Sequence, residues 1–291
     1  MKSIVLVAAF SLLAATPALA KKAPPPAADP AQEVIQAEQA FDAYTFQHGY
    51  THGFHLYSAG DGVSLGAHGP KPTHVELSDA IAKNPAETDA PSKLRWWPAH
   101  VGVSESGDLA YDLGGWTNGD DADGGWFFTV WKRQADGQWR WQVDSGAGSG
   151  PVAQLPAKQP ILIDFKPAGV SATAAADIVQ SEAVLDKALG EQAPLTAYDG
   201  FLADSAIVSV EDAPPAQNAE AYAVALAKRP AGLTWVADRS DVSKAGDYAY
   251  VLGHAEDSAK TAKGYYVRVW RKDGPAMADW HIVADIFHAA P

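Results

Sequence analysis

The chain has 291 residues, 47% of them hydrophobic, and 22 Lys and Arg against 35 Asp and Glu give a formal net charge of −13 at pH 7. An acidic chain without a basic stripe has little to displace phosphate counterions, so the composition argues against nucleic acid and against an anionic membrane surface as partners. The sequence contains no cysteine, which excludes disulfides, thiolate zinc ligands and lipid attachment through Cys.

Residues 1–20 have the pattern of a secretory signal peptide. Lys2 supplies a positive start, residues 4–15 form a short apolar run, and Ala18-Leu19-Ala20 is the small-x-small pattern that precedes cleavage. An uncleaved anchor is the alternative, although the run is shorter than the roughly 20 residues of a membrane-spanning helix. Residues 21–30 are rich in Pro and Ala, as in an extended tether. We therefore expect a periplasmic or secreted protein that has no membrane segment after cleavage.

A first folding unit is predicted over residues 31–146, with helices before strands. Apolar residues at helical spacing predict a helix from Ala31 to His48, and Asp29-Pro30 suits its N-terminal cap. A short helix and a strand follow from Phe54 to Leu65, and a further helix ends before Pro85. Four strands complete the unit, over Leu94 to Ser104, Leu109 to Trp116, Trp126 to Arg133 and Trp139 to Asp144. Helices followed by an antiparallel meander are typical of an α+β fold.

The strand region occurs twice in the chain. Eleven residues of the first unit recur 139 positions later, and the register then shifts by two residues. The pairs include Trp96 and Trp235, Asp108 and Asp247, Trp131 and Trp270, and, after the shift, Asp144 and Asp285. A constant offset over this length indicates two copies of one folding unit. The second copy is predicted over residues 173–291, and residues 147–172 read as a linker. Ile161 to Phe165 is too apolar for a free linker, and we expect it to dock on one of the domains, for example as an edge strand.

Three stretches of the first unit carry a family resemblance. They are residues 49–65, the run from Trp96-Trp97-Pro98-Ala99 to Tyr111, and the run from Phe127 to Trp139. These stretches are similar to the nuclear transport factor 2-like superfamily, and within it to the SnoaL-like branch. The second unit matches mainly from Leu233 onward. The resemblance implies two tandem cone-shaped domains, each a curved antiparallel sheet wrapped around N-terminal helices, with a pocket at the open end.

Aromatic residues are the first candidates for a binding site. The first unit holds seven of the ten tryptophans, four of which have no counterpart in the second unit. Trp97 and Trp116 belong to these four, and either could line a pocket for a flat or sugar-like ligand. Tyr44 and Phe127 complete the predicted ligand pocket. Bulkier packing is the alternative explanation for the additional rings.

A cofactor-independent catalytic site is a second hypothesis. His100 lies in a predicted strand, and Arg239 replaces it in the second copy. Together with Tyr111 and Asp144 it could form a His/Tyr/carboxylate set that enolises or dehydrates a substrate. The alternative is a structural role for Asp144, because the second copy retains an aspartate at the matching position, Asp285.

The sequence predicts no cofactor and no metal site. His48, His52 and His55 have the spacing of one helical face, which is a possible metal face, but two glycines interrupt the helix. The acidic loop 118–125 lacks the full length and closing Glu of a calcium loop. Motifs for nucleotide phosphates, serine hydrolases and zinc proteases are missing from the sequence.

Two interpretations of function follow from these residues and from the resemblance. The first is an exported tandem-domain protein whose cone pockets bind a small apolar or aromatic ligand or a partner protein. The alternative is an isomerase, dehydratase or cyclase with its active site in the first unit, which the resemblance allows because such enzymes share the fold. The two cones would pack sheet to sheet as an intrachain pseudo-dimer, or the chain would form a homodimer. In a third interpretation the second unit is a degenerate copy kept for stability or for contact with another protein.

Overall fold

The computed structural model describes residues 29–85, 91–119, 124–149, 154–166, 169 and 171–291. The predicted signal peptide, most of the tether and the tip of the acidic loop therefore lie outside the described residues. Within the described ranges, no helix combines the length and the hydropathy that crossing a bilayer requires.

The first domain is a helix-first unit that ends in a long antiparallel meander. Its elements are α1 (Pro30–Tyr57), β1 (Ser58–Gly66), β2 (Gly69–Lys71), α2 (Thr73–Lys83), β3 (Leu94–Val103), β4 (Leu109–Asn118), β5 (Gly124–Arg133), β6 (Trp139–Ser149) and β7 (Leu162–Asp164). These strands form one seven-stranded sheet in the order β2-β1-β6-β5-β4-β3-β7. The apolar segment inside the predicted linker is thus an edge strand, β7, which pairs in parallel with β3.

The second domain repeats this order, with two helices where the first domain has the bent α1 and without a described equivalent of β7. It contains α3 (Ala174–Glu191), α4 (Pro194–Ala197), β8 (Leu202–Val210), β9 (Ala213–Ala216), α5 (Ala219–Ala227), β10 (Thr234–Val242), β11 (Tyr248–Glu256), β12 (Ala262–Lys272) and β13 (Trp280–Ala289). Its six strands form a separate sheet in the order β10-β11-β12-β13-β8-β9. Two separate sheets, each preceded by helices, confirm the predicted α+β class.

Helix α1 is bent where the sequence prediction placed a break between two helices. Asp29 caps its start by accepting a hydrogen bond from the backbone N of Ala31 at 3.0 Å. Gly49 has φ +85°, a conformation that residues with a side chain rarely adopt. After this bend the halves of α1 touch, because a Cβ at Gly53 would lie 1.9 Å from Oγ1 of Thr45. The bend directs the last turns of α1 back over the sheet.

The inner face of each sheet packs on its first helix. In the first domain the helix contributes Val34, Ile35, Phe41 and Phe54, and the sheet contributes Trp96, Trp131, Trp139 and Trp141. In the second domain Ile178, Leu185 and Leu189 pack on Trp235, Trp270 and Trp280. The strand ladders contain bulges, which bend strands and curve a sheet.

The outer faces of the two sheets pack against each other. One buried cluster combines Leu113, Phe128, Val130 and Val143 of the first sheet with Tyr250, Val267, Val269 and Ile286 of the second. Reciprocal turn contacts extend this interface. Asp108 accepts from the backbone N of Lys244 at 3.2 Å, and Asp247 accepts from the backbone N of Glu105 at 2.6 Å. Both contacts join repeat-equivalent residues, so the domains are related by a pseudo-twofold axis, as in a homodimer.

Candidate functional site

A cavity of about 280 Å³ opens inside the first domain, between α1 and the inner face of the sheet. Six aromatic rings and two carboxylates are among its lining groups. The lining residues are Glu38, Phe41, Tyr50, Phe54, Leu94, Trp96, Trp116, Phe127, Thr129, Asp144, Ser145 and Gly146. A largely aromatic, concave surface with a few placed polar groups is the usual composition of a small-molecule site.

Three neighbouring strands place a polar cluster on the inner face of the sheet. Thr129 of β5 lies opposite Asp112 of β4 and Asp144 of β6. Residues directly opposite each other in a sheet project from the same face. Helix α1 adds the carboxylate of Glu38 from the other side. The fold therefore brings three carboxyl groups into one domain interior.

Glu38 and Asp112 form the deepest part of this cluster and are both almost fully buried. Glu38 accepts hydrogen bonds from the indole N–H groups of Trp96 and Trp131, the latter at 3.1 Å. The Trp131 indole also donates to Asp112 at 3.1 Å. Burial raises the pKa of Glu38, and burial together with the charge of Glu38 raises the pKa of Asp112 well above its ordinary value. The second carboxylate oxygen of Asp112, Oδ2, is buried and has no hydrogen-bond partner among the described residues.

Asp144 is the carboxylate nearest the open part of the cavity. Its Oδ1 accepts from Oγ1 of Thr129 at 3.3 Å, and its Oδ2 accepts no hydrogen bond from the described residues. Burial, and after it the charge of Glu38, raises the pKa of Asp144 to about 7. In the part of the chain that the structure describes, no lysine or arginine forms an ion pair with Glu38, Asp112 or Asp144.

The equivalent position in the second domain is filled by an arginine. Arg268 lies opposite Val251 and Asp285 in its sheet, the same register that Thr129 has in the first sheet. Its guanidinium donates to Oδ2 of Asp285 at 2.9 Å and to Oε2 of Glu182 at 2.7 Å. Glu182 also accepts from an indole N–H, as Glu38 does.

A second arginine completes the charge balance of that domain. Arg229 donates to Oδ1 of Asp285 at 2.7 Å, and Tyr198 donates to Oδ2 of the same carboxylate at 2.5 Å. Burial alone would raise the pKa of Asp285, but the positive charges of Arg229 and Arg268 hold it below the ordinary value. Two buried carboxylates thus face two buried guanidinium groups, whereas the described residues of the first domain place three carboxyls and no arginine in the same space.

The predicted catalytic set does not come together. His100 and Tyr111 lie on the outer face of the first sheet, with 3.4 Å between His100 Nε2 and the Tyr111 hydroxyl. Tyr111 donates to Asp164 of β7 at 3.2 Å, and Arg271 of the second domain pairs with the same carboxylate. Asp144 lines the cavity on the opposite face. Burial lowers the pKa of His100, and the group belongs to the outer-face contact between the domains and not to the cavity.

Two of the four predicted pocket residues line the cavity. Trp116 and Phe127 belong to its wall. Trp97 is on the outer face of β3, where its indole donates to the carbonyl of Pro156 at 3.0 Å. Tyr44 is not part of the wall and stacks on His48 with ring centroids 4.2 Å apart. Strand alternation explains Trp97, because its neighbour Trp96 takes the inner face.

A second concavity lies between the domains. It has a volume of about 320 Å³ and runs from the end of β6 to the rim of the second cone, where Arg229 and Phe287 form part of its wall. Glu182, Arg268 and Asp285 are not among its lining residues. The groove therefore does not reach the interior of the second domain, whereas the first cavity reaches both Glu38 and Asp144.

The inner residues Glu38, Asp112 and Thr129 were not predicted from the sequence. A signal for one of them exists, because Glu38-x-x-x-Asp42 in the first helix recurs as Glu182-x-x-x-Asp186 at an offset of 144. The 139-residue offset also aligns Thr129 with Arg268, so this difference between the two copies can be recognised from the sequence. Among the described residues, no group of three or more His, Asp or Glu side chains is placed to hold a metal ion.

No family model and no curated protein matches the chain. Among solved structures, it is similar to a protein of unknown function from the DUF3225 family of Pectobacterium atrosepticum, at 18% identity, 42% coverage of this chain, 94% of that chain and a TM-score of 0.33. It is also similar to a nuclear transport factor 2-like protein of unknown function from Shewanella oneidensis, at 12% identity, 40% and 98% coverage and a TM-score of 0.33. Nuclear transport factor 2 from Cryptosporidium parvum matches at 12% identity, 42% and 99% coverage and a TM-score of 0.34. These names agree with the resemblance predicted from the sequence, with each structure covering about 40% of the chain.

Proposed function

We propose that this protein binds a small molecule with an apolar or aromatic body in the cavity of the first domain. The observation that carries the proposal is the difference between two equivalent interiors in one chain. Thr129 leaves about 280 Å³ open in the first domain, whereas the side chain of Arg268 occupies the matching position in the second and is fully buried.

The walls of the cavity support a ligand with a flat or compact apolar body. Four rings of the wall are buried in the hydrophobic core of the domain, namely Phe41, Phe54, Trp96 and Phe127. Phe41 and Trp96 are in edge-to-face contact, with 4.7 Å between their ring centroids. Trp116 is half-buried and lies at the open side. Rigid rings that are already packed lose little conformational freedom when a ligand binds, so more of the contact energy remains as affinity.

A matched pair of tryptophan variants tests this proposal. A panel of small aromatic and aliphatic compounds is screened on the full chain by ligand-observed NMR, and hits are titrated by calorimetry. Trp116→Ala should weaken binding by about tenfold or more, because a buried aromatic contact contributes over 1 kcal/mol. Trp97→Ala is the control, since Trp97 is equally half-buried on the neighbouring strand but faces away from the cavity.

Two results would contradict the proposal. One is the absence of any hit from the panel. The other is equal weakening by Trp116→Ala and Trp97→Ala, which would place the binding site outside the cavity or reduce both effects to altered folding. Thermal unfolding of both variants separates these explanations.

Proton transfer in the same cavity is a second candidate function. It is favoured by one observation: Asp144 lines an aromatic cavity and has its pKa raised to about 7, the range in which a carboxylate serves as general acid or base near neutral pH. Incorporation of deuterium next to the carbonyl of cyclohexanone or 2-tetralone, followed by NMR, tests this activity. Exchange that Asp144→Asn abolishes would support it, and exchange no faster than in buffer alone would reject it for these ketones.

A further inference from the structure

The second domain shows what the shared set of interior groups binds. The guanidinium of Arg268 lies between two carboxylates, Glu182 and Asp285, with Nη1 to Oε2 at 2.7 Å and Nε to Oδ2 at 2.9 Å. It also lies over two rings, 5.2 Å from the centroid of Trp235 and 4.2 Å from that of Tyr266. Two acids and two aromatic faces are the components of a cation site.

The first domain has the same four groups around its cavity. Each is the repeat counterpart of a group around Arg268, and each belongs to the cavity wall. The counterparts are Glu38 for Glu182, Asp144 for Asp285, Trp96 for Trp235 and Phe127 for Tyr266. The one group of this set that differs in kind is the cation itself, since Thr129 stands where the second domain has Arg268.

We infer that the first cavity takes an organic cation, an ammonium or guanidinium group on a small apolar or aromatic body. This inference rests on the proposed function and specifies the chemical class of the ligand. The charged group would lie between Glu38 and Asp144 and over the ring of Trp96, where the Arg268 guanidinium lies in the second domain. The apolar body would extend toward Trp116 and Phe127 at the open side.

The charge of the cavity selects against other ligand classes. An anion would face Glu38 and Asp144 without any arginine or lysine of the described residues to offset them, and a buried charge without a counter-charge is strongly disfavoured. A hydrated divalent metal prefers a shell of oxygen ligands, whereas most of this wall is aromatic carbon. An organic cation uses both features, because its charge meets the carboxylates and its C–H surface meets the rings.

Three probes of nearly equal shape test the inference on the full chain. Phenethylamine is a cation at pH 8, 2-phenylethanol is its neutral analogue and phenylacetate its anionic one. Calorimetric titration should show phenethylamine binding at least about tenfold more tightly than 2-phenylethanol, and phenylacetate not binding. Thr129→Arg should abolish phenethylamine binding, since it introduces the guanidinium that the second domain already has. Thr129→Val, which keeps the shape of the side chain, should retain the ranking.

The outcomes separate the inference from the function on which it rests. If 2-phenylethanol binds as tightly as phenethylamine and Trp116→Ala weakens both, the cavity is a ligand site but the cation inference is wrong. If phenylacetate binds best, the inference is equally wrong. If none of the three probes binds and the wider panel gives no hit, both proposals fail. The probe ranking on the unmodified chain does not depend on whether Thr129→Arg folds.

Discussion

Asp144 and Asp285 occupy the same place in the two domains, yet their replacement should change stability in opposite directions. Asp144 has no cationic partner among the described residues, and burial raises its pKa to about 7. Asp285 is held between Arg229 and Arg268, which keep its pKa low despite burial. Asn is nearly isosteric with Asp and removes only the charge. We therefore expect Asp144→Asn to stabilise the fold at pH 8 and Asp285→Asn to destabilise it.

The magnitude follows from linkage between protonation and folding. A carboxyl that titrates near 7 when folded and near 3.8 when unfolded lowers the free energy of unfolding at high pH by about 1.4 kcal/mol for each pKa unit, or about 4 kcal/mol. The changed hydrogen bond with Thr129 offsets about 1 kcal/mol of this gain, so Asp144→Asn should gain about 2–4 kcal/mol at pH 8. For Asp285→Asn we expect a loss of about 3–5 kcal/mol, because it leaves buried guanidinium groups without their counter-charge.

Urea denaturation of both variants at pH 8 and pH 4.5 measures these changes. The gain from Asp144→Asn should be complete above pH 7 and should shrink as the pH falls from 7 toward the ordinary carboxyl pKa, because the wild-type carboxyl is then protonated in the unfolded state as well as in the folded state. A loss of stability at pH 8 from Asp144→Asn, similar to that from Asp285→Asn, would refute the reasoning. It would show that Asp144 has a structural counter-charge after all.

The remaining predictions concern the core and the domain contact. Trp131→Ala and Trp270→Ala should each lower the free energy of unfolding by about 3–5 kcal/mol, since both indoles are fully buried. An unchanged melting temperature for either variant would contradict the placement of that tryptophan in the core. His100→Ala should cost about 2 kcal/mol in chemical denaturation, as expected for a buried hydrogen-bonded group, while probe affinity stays the same; altered affinity would contradict its placement. Asp247→Ala should cost about 1–3 kcal/mol by leaving the backbone N of Glu105 unpaired, and a neutral result would show that this turn contact contributes nothing.

The fold was readable from the sequence because its signals are local and repeated. The constant offset between Trp131 and Trp270 identified two units, and Gly and Pro positions marked the ends of most elements. The segment from Ile161 to Phe165 was recognised as too apolar for a linker. Its pairing partner was not predictable, because β7 meets β3 through contacts far apart in sequence.

The site was readable only in part, and a bulge is one reason. Strict alternation along β6 would place Trp141 and Val143 on one face and Asp144 on the other. The ladder shifts between Val130 and Trp131, so Trp141 and Asp144 both face the inside while Val143 faces the second domain. A single sequence does not reveal such a shift. The prediction therefore grouped His100 and Tyr111 with Asp144, although the first two lie on the outer face of the sheet and Asp144 lies on the inner face.

Duplication explains how one chain can tolerate the uncompensated carboxyl groups inside its first domain, which lower the stability of the fold. Buried carboxyls without counter-charge lower stability, and functional sites commonly carry such a cost. The second domain has the same framework with the charges matched by Arg229 and Arg268, and the shared outer-face core couples the two domains. Exchanging Thr129 and Asp112 for their counterparts Arg268 and Val251 would then convert an open domain into a closed one. The double variant Asp112→Val with Thr129→Arg should therefore be more stable than the wild type at pH 8 and unable to bind a cationic probe. A double variant that is less stable, or that still binds the probe, would show that these two residues do not account for the difference between the open and the closed domain.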